Sequence, residues 1–82
     1  MLKLKSEVAK RGYQIYKKLR HALEREHLRE YVAIELESED YFLGNDMDEA
    51  LNKAEEKYPD KEFFVVQIGE LATASFKHRF SL

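Results

Sequence analysis

Glu24 and His27 stand three residues apart in the segment EREH. On a helix that spacing puts a carboxylate and an imidazole on one face, and di-metal helical bundles use such pairs as ligands. Those bundles need several helices of this kind, whereas this chain carries the pair once. A salt-bridged helix end is the plainer reading. Two acidic clusters offer oxygens to a hard cation: Glu37, Glu39 and Asp40, then Asp46, Asp48 and Glu49. Neither has the glycine and closing glutamate of a calcium loop, so they read as turn and helix-start residues. Ser38, Thr73 and Ser75 lack the glycine-flanked elbow of a hydroxyl nucleophile. The glycines, at 12, 44 and 69, are too scattered to cradle phosphate. No catalytic residue, metal ligand or cofactor site is expected, and the chain reads as a non-enzyme.

Two further groups suit binding. Lys10, Lys17, Lys18 and Arg25 can meet phosphates, with Tyr13 near enough to stack on a base. They belong to a charge division that the net charge of -2 hides. Residues 1–30 hold nine Lys/Arg against four Asp/Glu, a balance of +5, and residues 31–82 hold five against twelve, a balance of −7. A basic front joined to an acidic back suits an acidic partner, a nucleic acid, or the acidic half of the same molecule or of a second copy. The aromatic residues form the other group. Tyr and Phe are favoured interface anchors, and Tyr31, Tyr41, Phe42 and Phe63 are the expected partner or dimer contacts.

Elements must hold these residues in place. From about Ser6 to Leu28 the apolar spacing is helical, with Val8, Gly12, Ile15, Tyr16, Leu19, Ala22 and Leu23 on one stripe. Ser6 suits the N-cap. Lys3, Lys10, Arg11, Lys17, Lys18 and Arg25 fall on the other arc. Gly12 weakens the helix by up to about 1 kcal/mol against alanine, or permits another backbone to approach closely. YVAIELE then alternates, with Val32, Ile34 and Leu36 on one side and Ala33, Glu35 and Glu37 on the other, which predicts a half-buried strand. YFLG at 41–44 returns as the second strand of a hairpin. A second helix follows, capped by Asp46 with Glu49 or by Asn45, with Met47, Ala50, Leu51, Ala54 and Tyr58 on its apolar face. Pro59 stops it. EFFVVQI at 62–68 is apolar on both faces, so this strand needs cover on both sides. The second helix covers one; the long first helix or a partner chain covers the other.

The order α-β-β-α-β predicts a small α+β domain with an antiparallel sheet, the third strand lying beside the first in spatial order 2-1-3. Residues 1–82 read as a single domain: a basic helix over 1–30, a ββαβ core over 31–69, and a tail over 70–82 without clear period, which is either anchored by Phe76 and Phe80 or mobile. The absence of cysteine removes disulfides and thiolate metal sites. It suits a reducing cytoplasm, as does an N-terminus without the apolar core of a signal peptide. No apolar run reaches the roughly 20 residues of a membrane helix.

The segments RGYQIY, EREH, YVAIE, DYFLG, EAL, KYPD and IG, in that order over residues 11 to about 69, carry a resemblance. The chain resembles a group of short, uncharacterised prokaryotic α-β-β-α-β proteins that look antitoxin-like or accessory, some of them beside genes for retropepsin-like aspartic proteases. The hairpin followed by the EAL helix is also similar to antitoxin domains that bind their toxin through the sheet. The resemblance implies a protein partner. No separate DNA-binding segment of the antitoxin kind is matched, and the tail beyond Gly69 fits the pattern less well. The expectation is a small non-enzymatic protein-binding module, a homodimer without cofactor. The alternative is a nucleic-acid binder that uses the basic first helix.

Overall fold

The structure, a computed structural model, describes the backbone of residues 2–78 and the side chains of residues 9–70. Helix α1 spans Leu2–Glu26 and is followed by strands β1 (Tyr31–Glu35) and β2 (Tyr41–Gly44), helix α2 (Met47–Lys57), and strands β3 (Glu62–Gln67) and β4 (Glu70–His78). The sheet has the order β2-β1-β3-β4 with every neighbouring pair antiparallel. The expected α+β order and the 2-1-3 arrangement are both present. The difference is a fourth strand. The tail at 70–78 pairs with β3, beyond an irregularity in register between Val65 and Gln67. Gln67 stands opposite Glu70, so Ile68-Gly69 is the two-residue loop of a hairpin, with Gly69 at φ 93°. That left-handed conformation is one that only glycine takes without steric cost. The side chain of Phe76 and all of Phe80, the two expected anchors, lie outside the described residues.

The two helices lie on opposite faces of the sheet. α1 packs on β1 and β3, while α2 packs on β2, β1 and β3. On the α1 face, Ile15, Tyr16 and Leu23 meet Val32, Ile34, Leu36, Phe64, Val66 and Ile68, with Leu19 and Leu43 at the margin. On the α2 face, Ala50, Leu51 and Ala54 meet Ala33, Phe63 and Val65, with Tyr31, Phe42, Met47 and Tyr58 around them. The chain therefore covers both faces of EFFVVQI by itself, and no partner chain is required for that. Each large side chain so buried contributes about 1.5–3 kcal/mol by leaving water.

Three local expectations are corrected. β1 is not half-buried: Ala33 is wholly covered and Glu35 is 1% exposed, because the small Ala33 side chain lets the Ala50 and Ala54 side of α2 close over it. Ser6 is inside α1 rather than at its cap, since the helix starts at Leu2. Ala22 is exposed, although it falls on the predicted apolar stripe, because the buried run of α1 follows Gly12, Ile15, Tyr16 and Leu23. Gly12 itself sits over Phe64. A Cβ there would overlap the Phe64 side chain, so the close approach is made by a ring and not by a backbone. α2 is capped by Asp46, whose side chain accepts the Glu49 N–H at 2.8 Å. The returning Glu49 carboxylate takes the Asn45 N–H at 2.6 Å.

Candidate functional site

The β1–β2 hairpin is where the charged and aromatic side chains meet. Its turn is built on Glu35. The carboxylate accepts the backbone N–H of Ser38 at 2.8 Å and of Glu37 at 3.1 Å, so a buried charge replaces its lost water with amide donors. Burial alone would raise the Glu35 pKa. The hydrogen bonds from Ser38 and Glu37, helped by the nearby Lys61 charge, outweigh burial and hold the carboxyl below its ordinary range. Glu39 takes positive φ at 67° to close the turn. Its side chain then reaches α1, where Arg11 Nη2 donates at 3.1 Å and Lys18 Nζ at 3.2 Å. Arg11 Nε also donates to the Leu36 carbonyl at 3.2 Å. The Lys18 hydrogen bond is the main reason that the Glu39 pKa is lowered.

Asp40 ties the same turn to the end of α2. It accepts from the Tyr58 hydroxyl in a short hydrogen bond and from Lys57 Nζ at 3.3 Å. The Tyr58 bond is the first cause of the lowered Asp40 pKa, and the Lys57 bond the second. The Tyr58 ring stands edge-on to Phe42, 6.2 Å between centroids and 71° between planes. Glu39, Asp40, Tyr41, Phe42 and Lys57 line a hollow of about 320 Å³. Tyr41 is 44% exposed at its rim. Glu35 donates its N–H to the Asp40 carbonyl, so by alternation the Phe42 backbone faces β1, and the Tyr41 and Leu43 backbone groups face the open edge. Lys53 Nζ caps the Leu43 carbonyl at 2.9 Å.

Of the expected contact residues, Tyr41 and Phe42 are brought together at this hollow. Tyr31 is half-buried beside α2 at the other end of the hairpin. Phe63 is a correction: it is 0% exposed, covered by α2 of its own chain, and is a core residue rather than a contact. The sequence showed two apolar faces on β3 but not which helix would close over each. Sequence reasoning also missed Tyr58 and Lys57 as partners of Asp40. The KYPD spacing that ends α2 was the available signal, since it leaves both residues on the last turn.

The basic residues divide. Lys18 is drawn into the Glu39 link, whereas Lys10, Lys17 and Arg25 are exposed on α1, with Lys17 Nζ 5.2 Å from the centre of the Tyr13 ring. Glu24 and His27 are not a pair. Glu24 accepts from Arg20 Nε at 3.0 Å and from the Tyr16 hydroxyl at 3.2 Å. His27 Nδ1 lies 3.1 Å from Glu30. The Tyr16 hydroxyl in turn accepts the Gly69 N–H at 3.2 Å, which pins α1 to the β3–β4 turn. Among the described residues no three His, Asp or Glu side chains converge as a metal site. Ser38 Oγ accepts the Asp40 N–H at 3.1 Å and is a turn residue. No helix among the described residues is long and apolar enough to cross a membrane. Compared with known proteins, the chain matches no family model, no curated protein and no solved structure.

Proposed function

We propose that the chain is a small non-enzymatic protein-binding module, antitoxin-like or accessory in role, which recognises a protein partner through the Tyr41 corner of the β1–β2 hairpin. A second copy of the chain is a partner of this kind, and the site then makes a homodimer. The observation that carries the reading is an exposed tyrosine on an open sheet edge, at the rim of a hollow lined by aromatic and charged side chains. Tyr is the side chain that gives rigid apolar contact area and a polar tip together. The Tyr41 backbone groups face outward beside it, so a partner strand or loop gains both side-chain and main-chain contacts. Lys53 over the Leu43 carbonyl limits pairing to the Tyr41 end. The likeness of the hairpin and EAL helix to antitoxin domains that bind their toxin through the sheet supports the same surface, and the lack of cysteine supports a cytoplasmic setting.

Light scattering over a concentration series, on wild type and Tyr41→Ala, tests the reading. A dimer that loosens in Tyr41→Ala identifies the partner as a second copy. If both stay monomeric, a photo-crosslinking residue at position 41 should trap a specific protein in cells. Monomers at every concentration with no specific crosslink would sink the reading.

A further inference from the structure

The charge division separates only in part, since Glu39 of the acidic half meets Arg11 and Lys18 on α1 while other carboxylates lie on α2. α1 carries the basic half on one face of the sheet. α2, with Asp48, Glu49, Glu55 and Glu56 against Lys53 and Lys57, lies on the other. A helix with its side chains is about 10 Å across, so the two outer surfaces stand about 20 Å or more apart. That exceeds twice the Debye length of about 8 Å at physiological salt. An anion approaching the outer surface of α1 is screened from the α2 carboxylates, and the nearer Glu24 and Glu39 are paired with Arg20, Arg11 and Lys18.

The cations of α1 also sort by use. Arg11 and Lys18 are paired with Glu39, and Arg20 with Glu24. Lys10, Lys17 and Arg25 take part in no ion pair among the described residues. At 100° per residue these three share an arc of about 80° with Gln14 and His21. All five are exposed. From Lys10 to Arg25 the stripe runs about 22 Å along the helix. It carries no aliphatic side chain over that length, and Tyr13 flanks it with its ring beside Lys17. A protein interface centres on buried apolar residues. A row of unpaired cations with hydrogen-bonding side chains between them fits phosphates instead.

We infer that this outer stripe of α1 binds the phosphate backbone of a nucleic acid, without reading sequence. Lys10, Lys17 and Arg25 neutralise phosphates, while Gln14 and His21 donate hydrogen bonds. The surface is independent of the Tyr41 hollow. Lys18 is excluded because its charge already meets Glu39.

Anisotropy of a short labelled DNA duplex, with an RNA duplex of the same sequence as a second arm, tests the inference. Three phosphate contacts predict a loss of about 40-fold in affinity between about 50 and about 200 mM salt. The variant Lys10→Gln/Lys17→Gln/Arg25→Gln should keep its melting temperature and lose most of that salt dependence. A control, Lys61→Gln, removes a cation that is paired with Glu37 outside the stripe and should leave it unchanged. Whichever duplex binds more tightly identifies the nucleic acid. Absence of binding to both duplexes at the lower salt overturns the inference. So does a triple variant that binds as wild type, or a control that weakens binding equally. Binding of polyglutamate without binding of either duplex also overturns it, in favour of an acidic protein.

Discussion

The two faces of the sheet are closed by different means. α2 has 11 residues and reaches three strands, because Ala33, Ala50 and Ala54 leave room for it to lie close. α1 has 25 residues and reaches two strands, held by Phe64 under Gly12 and by polar links at two turns. Those links are Arg11 and Lys18 to the β1–β2 turn, and Tyr16 to the β3–β4 turn. Both faces bury an apolar cluster, and α2 has tethers of its own from Asp40 and Leu43; what sets the α1 face apart is its steric notch and the charged links of Arg11 and Lys18 to Glu39. Volume is insensitive to pH and salt, whereas tethers made from charges and hydrogen bonds are not. Conditions that act on the Glu39 links should therefore loosen α1 before α2.

The largest effect should come from the α2 face. Phe63→Ala removes a wholly buried ring and should cost about 3–5 kcal/mol, read as a lower urea midpoint. The native protein that remains should keep the wild-type mass in solution, because Phe63 meets its own chain. A change of oligomeric state at unchanged stability would instead return Phe63 to the contact surface. The notch on the α1 face comes next. Gly12→Ala adds a methyl where Phe64 already lies, and overpacking of this kind costs about 1–3 kcal/mol. Alanine's better helix propensity returns up to about 1 kcal/mol of that. The steric reading predicts that Phe64→Leu rescues Gly12→Ala, so the double mutant is more stable than the sum of the singles. Simple additivity would show that the notch does not hold α1.

Tyr16→Phe should be milder, about 1 kcal/mol, since the ring stays and the Gly69 N–H loses its acceptor. Its pH dependence separates it from a packing defect. Burial raises the Tyr16 pKa, with the Gly69 N–H opposing and Glu24 adding to the rise. The folded state thus keeps a proton that the unfolded state releases near pH 10. The stabilisation is complete below the unfolded pKa and is lost as pH rises through the folded one. Wild type should lose stability above about pH 10 by this route and Tyr16→Phe should not. Parallel alkaline curves for the two proteins would remove Tyr16 as the source.

The same contrast explains what the sequence disclosed. Periodicity located α2, β2 and β3, because Met47, Ala50, Leu51 and Ala54 repeat at helical spacing and Phe63 to Ile68 are apolar on both faces. It failed where tertiary contact overrides pattern. Glu35 reads as a surface residue until two backbone N–H groups of its own turn stabilise it under α2. β4, ELATASFKH, has Thr73 as its one β-branched residue. It forms as the pairing partner that β3 needs on its second edge. Ile68-Gly69 was the sign available, a glycine after a strand at the spacing of a two-residue hairpin loop. At the candidate site Tyr41 and Phe42 were legible as aromatics on a short strand. The links from Asp40 to Tyr58 and from Glu39 to Arg11 were not, because each joins residues distant in sequence through polar atoms that no hydrophobic period records.

The smallest effect should come from the exposed tether, and it is the sharpest test of the contrast. The Glu39 carboxyl is held below its ordinary value of 4.5, first by the Lys18 hydrogen bond and then, against a small opposing desolvation, by the Lys18 and Arg11 charges. A depressed carboxyl contributes stability above its unfolded pKa and loses it as pH falls through the folded value. Glu39→Gln should therefore lower the urea midpoint slightly at neutral pH, and the difference from wild type should close as pH falls below about 4. Because the pair is partly solvated, about 1 M salt should erase most of the difference at neutral pH as well. Glu35→Gln should behave otherwise. Its carboxylate is buried and bonded to amides, so its penalty should persist in salt while sharing the acid dependence. Hydrogen exchange of α1 amides gives the decisive reading. In Glu39→Gln at low salt, exchange should rise in α1 and stay level in α2, since only α1 is tied down through this turn carboxylate. Equal loosening of both helices would mean that the faces are closed as one unit, and the assignment of the Glu39 links to α1 alone would fall.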